Sequence, residues 1–77
     1  MMTMSEKQKF IKKLELEKEE YNKRIKEYNR RMLEVRESVK LTETSKDLML
    51  RDFAGIIQYD LGKVKKIEKL IEDITLL

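Results

Sequence analysis

Side-chain chemistry usually starts from His, Cys, an activated hydroxyl or grouped carboxylates, and this chain contains neither His nor Cys. Its Ser and Thr residues fall mainly at Thr3 and Ser5 and in the run Thr42, Thr44 and Ser45, places that suit helix starts and turns. No G-x-S-x-G and no Gly-rich phosphate loop occurs, so the usual nucleophile and base constellations cannot be assembled. Carboxylates are plentiful but interleaved with Lys and Arg, as on solvated faces. The expectation is a non-enzymatic protein with no catalytic residue, no cofactor, no metal and no small-molecule substrate.

Two groups of charged residues still call for an explanation. Asp60 and Lys63 stand at positions whose periodic neighbours are apolar, and Lys18 does the same earlier in the chain. A polar residue in such a seam fixes register and partner choice in coiled coils. If the chain folds back near residue 44, Asp60 comes opposite Tyr28, and a bond from the Tyr hydroxyl, joined by Arg24 or Arg31, would satisfy it. The alternative is a polar pocket for a partner's charge. The second group lies in residues 21–34, where YNKRIKE is followed by YNRRMLE, one heptad written twice. Its outward Lys23, Lys26 and Arg30 could meet a protein partner or a nucleic-acid backbone. A nucleic-acid surface, however, wants clustered cations and exposed aromatics. Here the cations alternate with Glu19, Glu20, Glu27 and Glu34, and both Tyr residues fall on the apolar seam.

The elements that must position these residues are legible from period. With Ile11 at heptad position a, the a and d positions carry Ile11, Leu14, Lys18, Tyr21, Ile25, Tyr28, Met32, Val35 and Val39. The e positions Glu15, Asn22, Asn29 and Arg36 are polar, so this stripe is narrow and suits one neighbouring helix. Thr3 with Glu6, and Ser5 with Gln8, are overlapping capping boxes that place the helix start near residue 5. The pairs Glu20 with Arg24 and Glu27 with Arg31 support the helix from within at i,i+4 spacing. The pattern turns polar at LTETSKD, where Thr44 with Asp47, or Ser45 alone, would cap a second helix. Helix 1 over about 5–41, a turn over about 42–45 and helix 2 over about 46–75 make one single helical domain.

Helix 2 is the wider of the two. Phe53, Ile67 and Ile74 continue the a series, while Leu50, Ile57, Val64 and Ile71 make its e row apolar as well. An a/d/e face touches two neighbours at once. The fold expected is all-α: two long helices in an antiparallel hairpin, dimerising into a four-helix bundle or coiled coil through Leu50, Phe53, Ile57, Val64, Ile67, Ile71 and Ile74. One continuous helix in a parallel coiled-coil dimer is the alternative, because no Pro or Gly enforces the turn and the register runs through it. Gly55 and Gly62, seven apart on helix 2, read either as a close approach of another backbone or as a bend.

Composition sets the remaining bounds. Charged residues are 43% of 77, Pro is absent, and a chain this small needs a disulfide, a metal or a partner to be stable. Association is the route left open, so a homodimer or higher homo-oligomer is expected. The net charge of +3 is uneven: residues 1–41 hold 12 Lys and Arg against 8 Asp and Glu, whereas residues 42–77 hold 6 against 7. Neither a leader-like apolar run nor a membrane span is present, so a cytoplasmic location without membrane contact is expected. The Lys, Ile and Glu bias is of the kind that AT-rich bacterial and phage genomes produce. Three functions fit: a regulator, inhibitor or assembly factor of a larger protein partner; a nucleic-acid-associated accessory protein using the basic face of helix 1; and a structural coiled-coil scaffold.

Overall fold

Two threonines set where the helices begin. Thr3 is extended, accepts a hydrogen bond from the Glu6 backbone N–H at 3.2 Å and donates its hydroxyl to the Glu6 carboxylate, so helix α1 runs Met4–Glu37. Thr42, also extended, accepts from the Ser45 backbone N–H at 3.1 Å and opens helix α2, Glu43–Leu76. Each cap satisfies a donor that the first helical turn leaves unpaired. Glu6 and Glu43 add a negative charge beside the positive end of each helix dipole. The computed structural model describes residues 2–77, and in it the two 34-residue helices lie antiparallel and side by side in a body 57 × 14 × 11 Å. The chain is a helical hairpin, not one continuous helix.

The turn lies earlier than its hydroxyl-rich sequence implies. It spans residues 38–42, where 42–45 is expected, and α1 ends at Glu37 rather than near residue 41. The reason is the choice of cap. Thr42 reaches the Ser45 N–H first, which draws Thr44 and Ser45 into the opening turn of α2. At the other end Ser38 turns extended, its N–H held by the Val35 carbonyl at 3.2 Å and its hydroxyl accepting from the Lys40 N–H at 3.3 Å. Lys46 then reaches back and donates its ammonium to the Arg36 carbonyl at 3.3 Å, closing α1 with a side chain from α2. No described non-Gly residue has positive φ, so the reversal needs no glycine. Val39, expected in the seam, is instead 96% exposed at the tip of the turn.

Between the helices, α1 contributes the row Ile11, Leu14, Lys18, Tyr21, Ile25, Tyr28, Met32 and Val35, all buried or half-buried. Facing it, α2 turns inward Leu50, Phe53, Ile57, Asp60, Val64, Ile67, Ile71 and Ile74, with the alternating spacing of three and four that a helix seam requires. The a and e rows of α2 therefore both line the hairpin seam, where Leu50, Phe53, Ile57, Ile71 and Ile74 are half-buried. Val64 and Ile67 are 7% and 6% exposed. Since α1 has only its narrow stripe to offer, α2 rotates to present the continuous a/e seam, and its d row, Met49, Ile56, Lys63, Leu70 and Leu77, swings out to one flank.

Candidate contact surface

At the middle of the seam sits Asp60, fully enclosed at 0% exposure. A buried carboxylate is costly unless paired, and its partner is Arg24 of α1. The guanidinium grips it bidentately, Nε donating to Oδ2 at 2.6 Å and Nη2 to Oδ1. Hydrogen bonding to Asp60, above its coulombic attraction, holds the Arg24 pKa above the usual arginine range against the cost of desolvation. Among the described residues no buried side-chain N or O lacks a hydrogen-bond partner. Of the expected pairing, Arg24 supplies its part and Tyr28 does not. Tyr28 stacks instead on Phe53, ring centroids 5.4 Å apart at 43°, while Arg31 lies 5.3 Å over its ring. Arg24 also lies 5.8 Å from the Tyr21 ring. Both arginines thus bind seam aromatics, and Arg24 forgoes its local Glu20 for a cross-helix carboxylate.

Lys63 does not share that core position. It is half-buried at the flank with its ammonium 5.4 Å over the Tyr59 ring. Lys18 is half-buried on the α1 seam. Of the outward cations, Lys23 pairs with Glu20 at 3.6 Å, and Arg30 pairs with Glu27 at 2.6 Å and Glu34 at 2.5 Å. Glu27 also takes Arg31 at 3.2 Å. Hydrogen bonds from Arg30 and then Arg31 hold the Glu27 carboxyl below its usual range, and Glu27 in turn raises Arg30. Lys26 is exposed. The basic face of α1 is therefore laced with ion pairs instead of forming an open cationic stripe.

The surface that stands apart is the flank where α1 presents Phe10, Glu17, Arg24 and Arg31, and α2 presents its d row. One groove there is lined by Arg24, Tyr28, Asp52, Gly55, Ile56 and Tyr59. The next, toward the turn, is lined by Arg31, Val35, Ser38, Leu41, Met49 and Phe53. Farther along, Phe10 lies between Lys9 and Lys13, and Leu70 beside Lys66 and Lys69. Met49, Leu70, Leu77 and Phe10 are exposed, and Ile56 is half-buried. The signal for this row was present in the wide stripe of helix 2. Which row would face outward depends on how α1 docks, and helix 2 by itself does not say. Gly55 and Gly62 are exposed on the same side, and a Cβ at either meets nothing within 4 Å, so neither supports a close approach within the hairpin.

No helix among the described residues is long and apolar enough to cross a membrane. Among them, too, no group of three or more His, Cys, Asp or Glu could hold a metal ion. No family model matches the chain, and neither a curated protein nor a solved structure does.

Proposed function

We propose that the chain is a non-enzymatic helical contact protein that works as a homo-oligomer and serves a larger protein as regulator, inhibitor or assembly factor. The observation that carries this reading is the apolar row left over on α2. Among the described residues the hairpin buries the hydrophobics Val35, Val64 and Ile67, yet it holds Met49, Ile56, Leu70 and Leu77 along one flank, interrupted by Lys63, and so has more apolar surface than its own fold consumes. Apolar rows bordered by charge are characteristic of protein contacts. A single core in a chain this short rarely supplies more than about 3–5 kcal/mol, so association is also the source of stability that the fold lacks.

In-cell crosslinking of the full chain, run beside a Leu70→Glu variant, tests the reading. The expected result is a discrete adduct with one larger protein, formed by the parent chain and lost in the variant. Adducts of the chain only with itself would point to the scaffold reading. Nucleic acid retained by the purified chain, with an affinity that falls steeply as salt rises, would point to the basic face of α1. Either outcome would replace the proposal.

A further inference from the structure

The flank has a definite order of charge as well as apolar side chains, and that order can be read from the hairpin register. Arg24 on Asp60, Tyr28 on Phe53 and Lys46 on the Arg36 carbonyl fix which residues of α1 and α2 lie level. In that register Phe10 is level with Leu70, Glu17 and Glu20 with Lys63 and Lys66, and Arg31 with Asp52, within about a turn. We propose that the flank is occupied by a second copy of this chain, related by a two-fold axis parallel to the helices, so that each α1 lies against the partner's α2.

Rotation about such an axis leaves levels unchanged. Phe10 then meets the partner's Leu70, Glu17 and Glu20 face the partner's Lys63 and Lys66, and Arg31 faces the partner's Asp52. Every contact occurs twice, as an isologous interface demands. Glu17 and Glu20 against Lys63 and Lys66, and Arg31 against Asp52, match opposite charges, and Phe10 joins Leu70, while Met49 and Ile56 come level with the partner's Arg31 and Arg24. The opposite-charge contacts are the complementarity that selects a partner and its orientation. Rotation about an axis perpendicular to the helices through their midpoints, stacking α2 on the partner's α2 and α1 on the partner's α1, would bring Met49 level with the partner's Leu70 but Phe10 level with the partner's Arg31 and Ile56 level with the partner's Lys63. The first arrangement also closes over the half-exposed Arg24, whose guanidinium already satisfies Asp60. The product is a four-helix bundle of alternating α1 and α2, joined through the α2 d row and not through the a and e rows that the sequence singles out.

This inference rests on the contact-protein reading but is tested apart from it. The absence of cysteine allows single-cysteine variants without a background. Arg31→Cys and Asp52→Cys chains, mixed and mildly oxidised, are expected to yield a disulfide-linked heterodimer, whereas Asp52→Cys mixed with Lys66→Cys gives little. Sedimentation of the untagged parent chain is expected to give twice the chain mass, and Leu70→Glu to weaken association at least tenfold, the loss of about 1.4 kcal/mol or more of Leu burial. A monomer at tens of micromolar, or preferential crosslinking of Asp52→Cys to Lys66→Cys, overturns the arrangement. A dimer of this geometry that captures no larger protein in cells would leave the arrangement standing and end the proposed function. A monomer that still captures one would do the reverse.

Discussion

The two flanks of the hairpin are built by the same pair of helices and could hardly differ more. On one, Asn22, Asn29 and Arg36 of α1 run beside Ala54, Leu61, Glu68 and Thr75 of α2, and the large exposed hydrophobics there, Leu33 and Leu61, stand apart among polar residues. On the other, Met49, Ile56, Leu70 and Leu77 of α2, interrupted by Lys63, run beside Phe10, Glu17, Arg24 and Arg31 of α1. The difference comes from unequal stripe widths. When a wide apolar face packs on a narrow one, the surplus does not spread around the helix. It collects on whichever side the narrow helix leaves uncovered. The docking angle of α1 thus decides which flank is finished and which is unfinished.

Between the flanks stands the Arg24–Asp60 pair, and it should give the largest effect. Arg24→Met leaves Asp60 enclosed without its counter-charge, and an enclosed carboxylate with no partner is strongly destabilising. Urea unfolding followed by circular dichroism is expected to show most of the hairpin's stability gone. Asp60→Leu, by contrast, fills the seam and leaves Arg24 to water from the open flank, so it should hold or gain stability. If Arg24→Met were as benign as Asp60→Leu, the pair would not be what joins the helices at this level.

The flanks themselves are compared by placing one charge on each. Leu70 and Leu61 are about equally exposed, at 49% and 44%, but lie on opposite flanks. Leu70→Glu is expected to dissociate the oligomer with the helix content of each chain retained. Leu61→Glu should change neither, since surface substitutions away from contacts are usually worth less than about 0.5 kcal/mol. Equal loss of association in both variants would erase the distinction between finished and unfinished sides.

How far these features could be read in advance depended on whether they were local. The Thr3–Glu6 cap, the narrow stripe of α1 and the wide one of α2 are set by neighbours in sequence, and they favour the hairpin without excluding one continuous helix. Val39 fitted the heptad yet lies in the turn, because the selection of Thr42 as cap over Thr44 or Ser45 ended the register two residues too soon for it. Asp60 could be seen to need a partner. Whether Tyr28 or an arginine supplies it depends on the rotation of two helices about their axes. The same rotation put Leu50, Ile57, Val64 and Ile71 inside and the d row outside, and a heptad count on one helix contains no information about the azimuth of the other.

A smaller effect sharpens the comparison from the unfinished side. Gly55 and Gly62 occupy equivalent helical positions with open space where a Cβ would stand, so in an isolated hairpin each Gly→Ala change gains about 0.8–1 kcal/mol of helix propensity. Gly55 lines the groove beside Arg24. If a second chain covers that groove, Gly55→Ala is expected to raise the stability of the dissociated chain but to weaken association relative to Gly62→Ala. Equal gains at both positions, with association unchanged, would mean that nothing approaches the α2 backbone there.

The smallest expected effect concerns the rim of the same flank. Arg30 and Arg31 hold the Glu27 carboxyl below its ordinary value of 4.5, a group whose folded pKa is depressed. Its contribution is present above the unfolded pKa and is lost as pH falls through the folded one. Acidification below about pH 4.5 should therefore loosen this part of α1 and leave Arg30 and Arg31 without their shared counter-charge. Since Arg31 borders the unfinished flank and Glu27 is exposed to salt screening, the consequence for the fold is slight, but the charge order along the flank becomes more positive. Glu27→Gln should shift self-association at pH 7 in the direction that acid shifts the parent chain, and should flatten that acid dependence. An acid dependence identical in parent and variant would place its origin in other carboxylates, with Glu17 and Asp52 on the same flank the next to substitute.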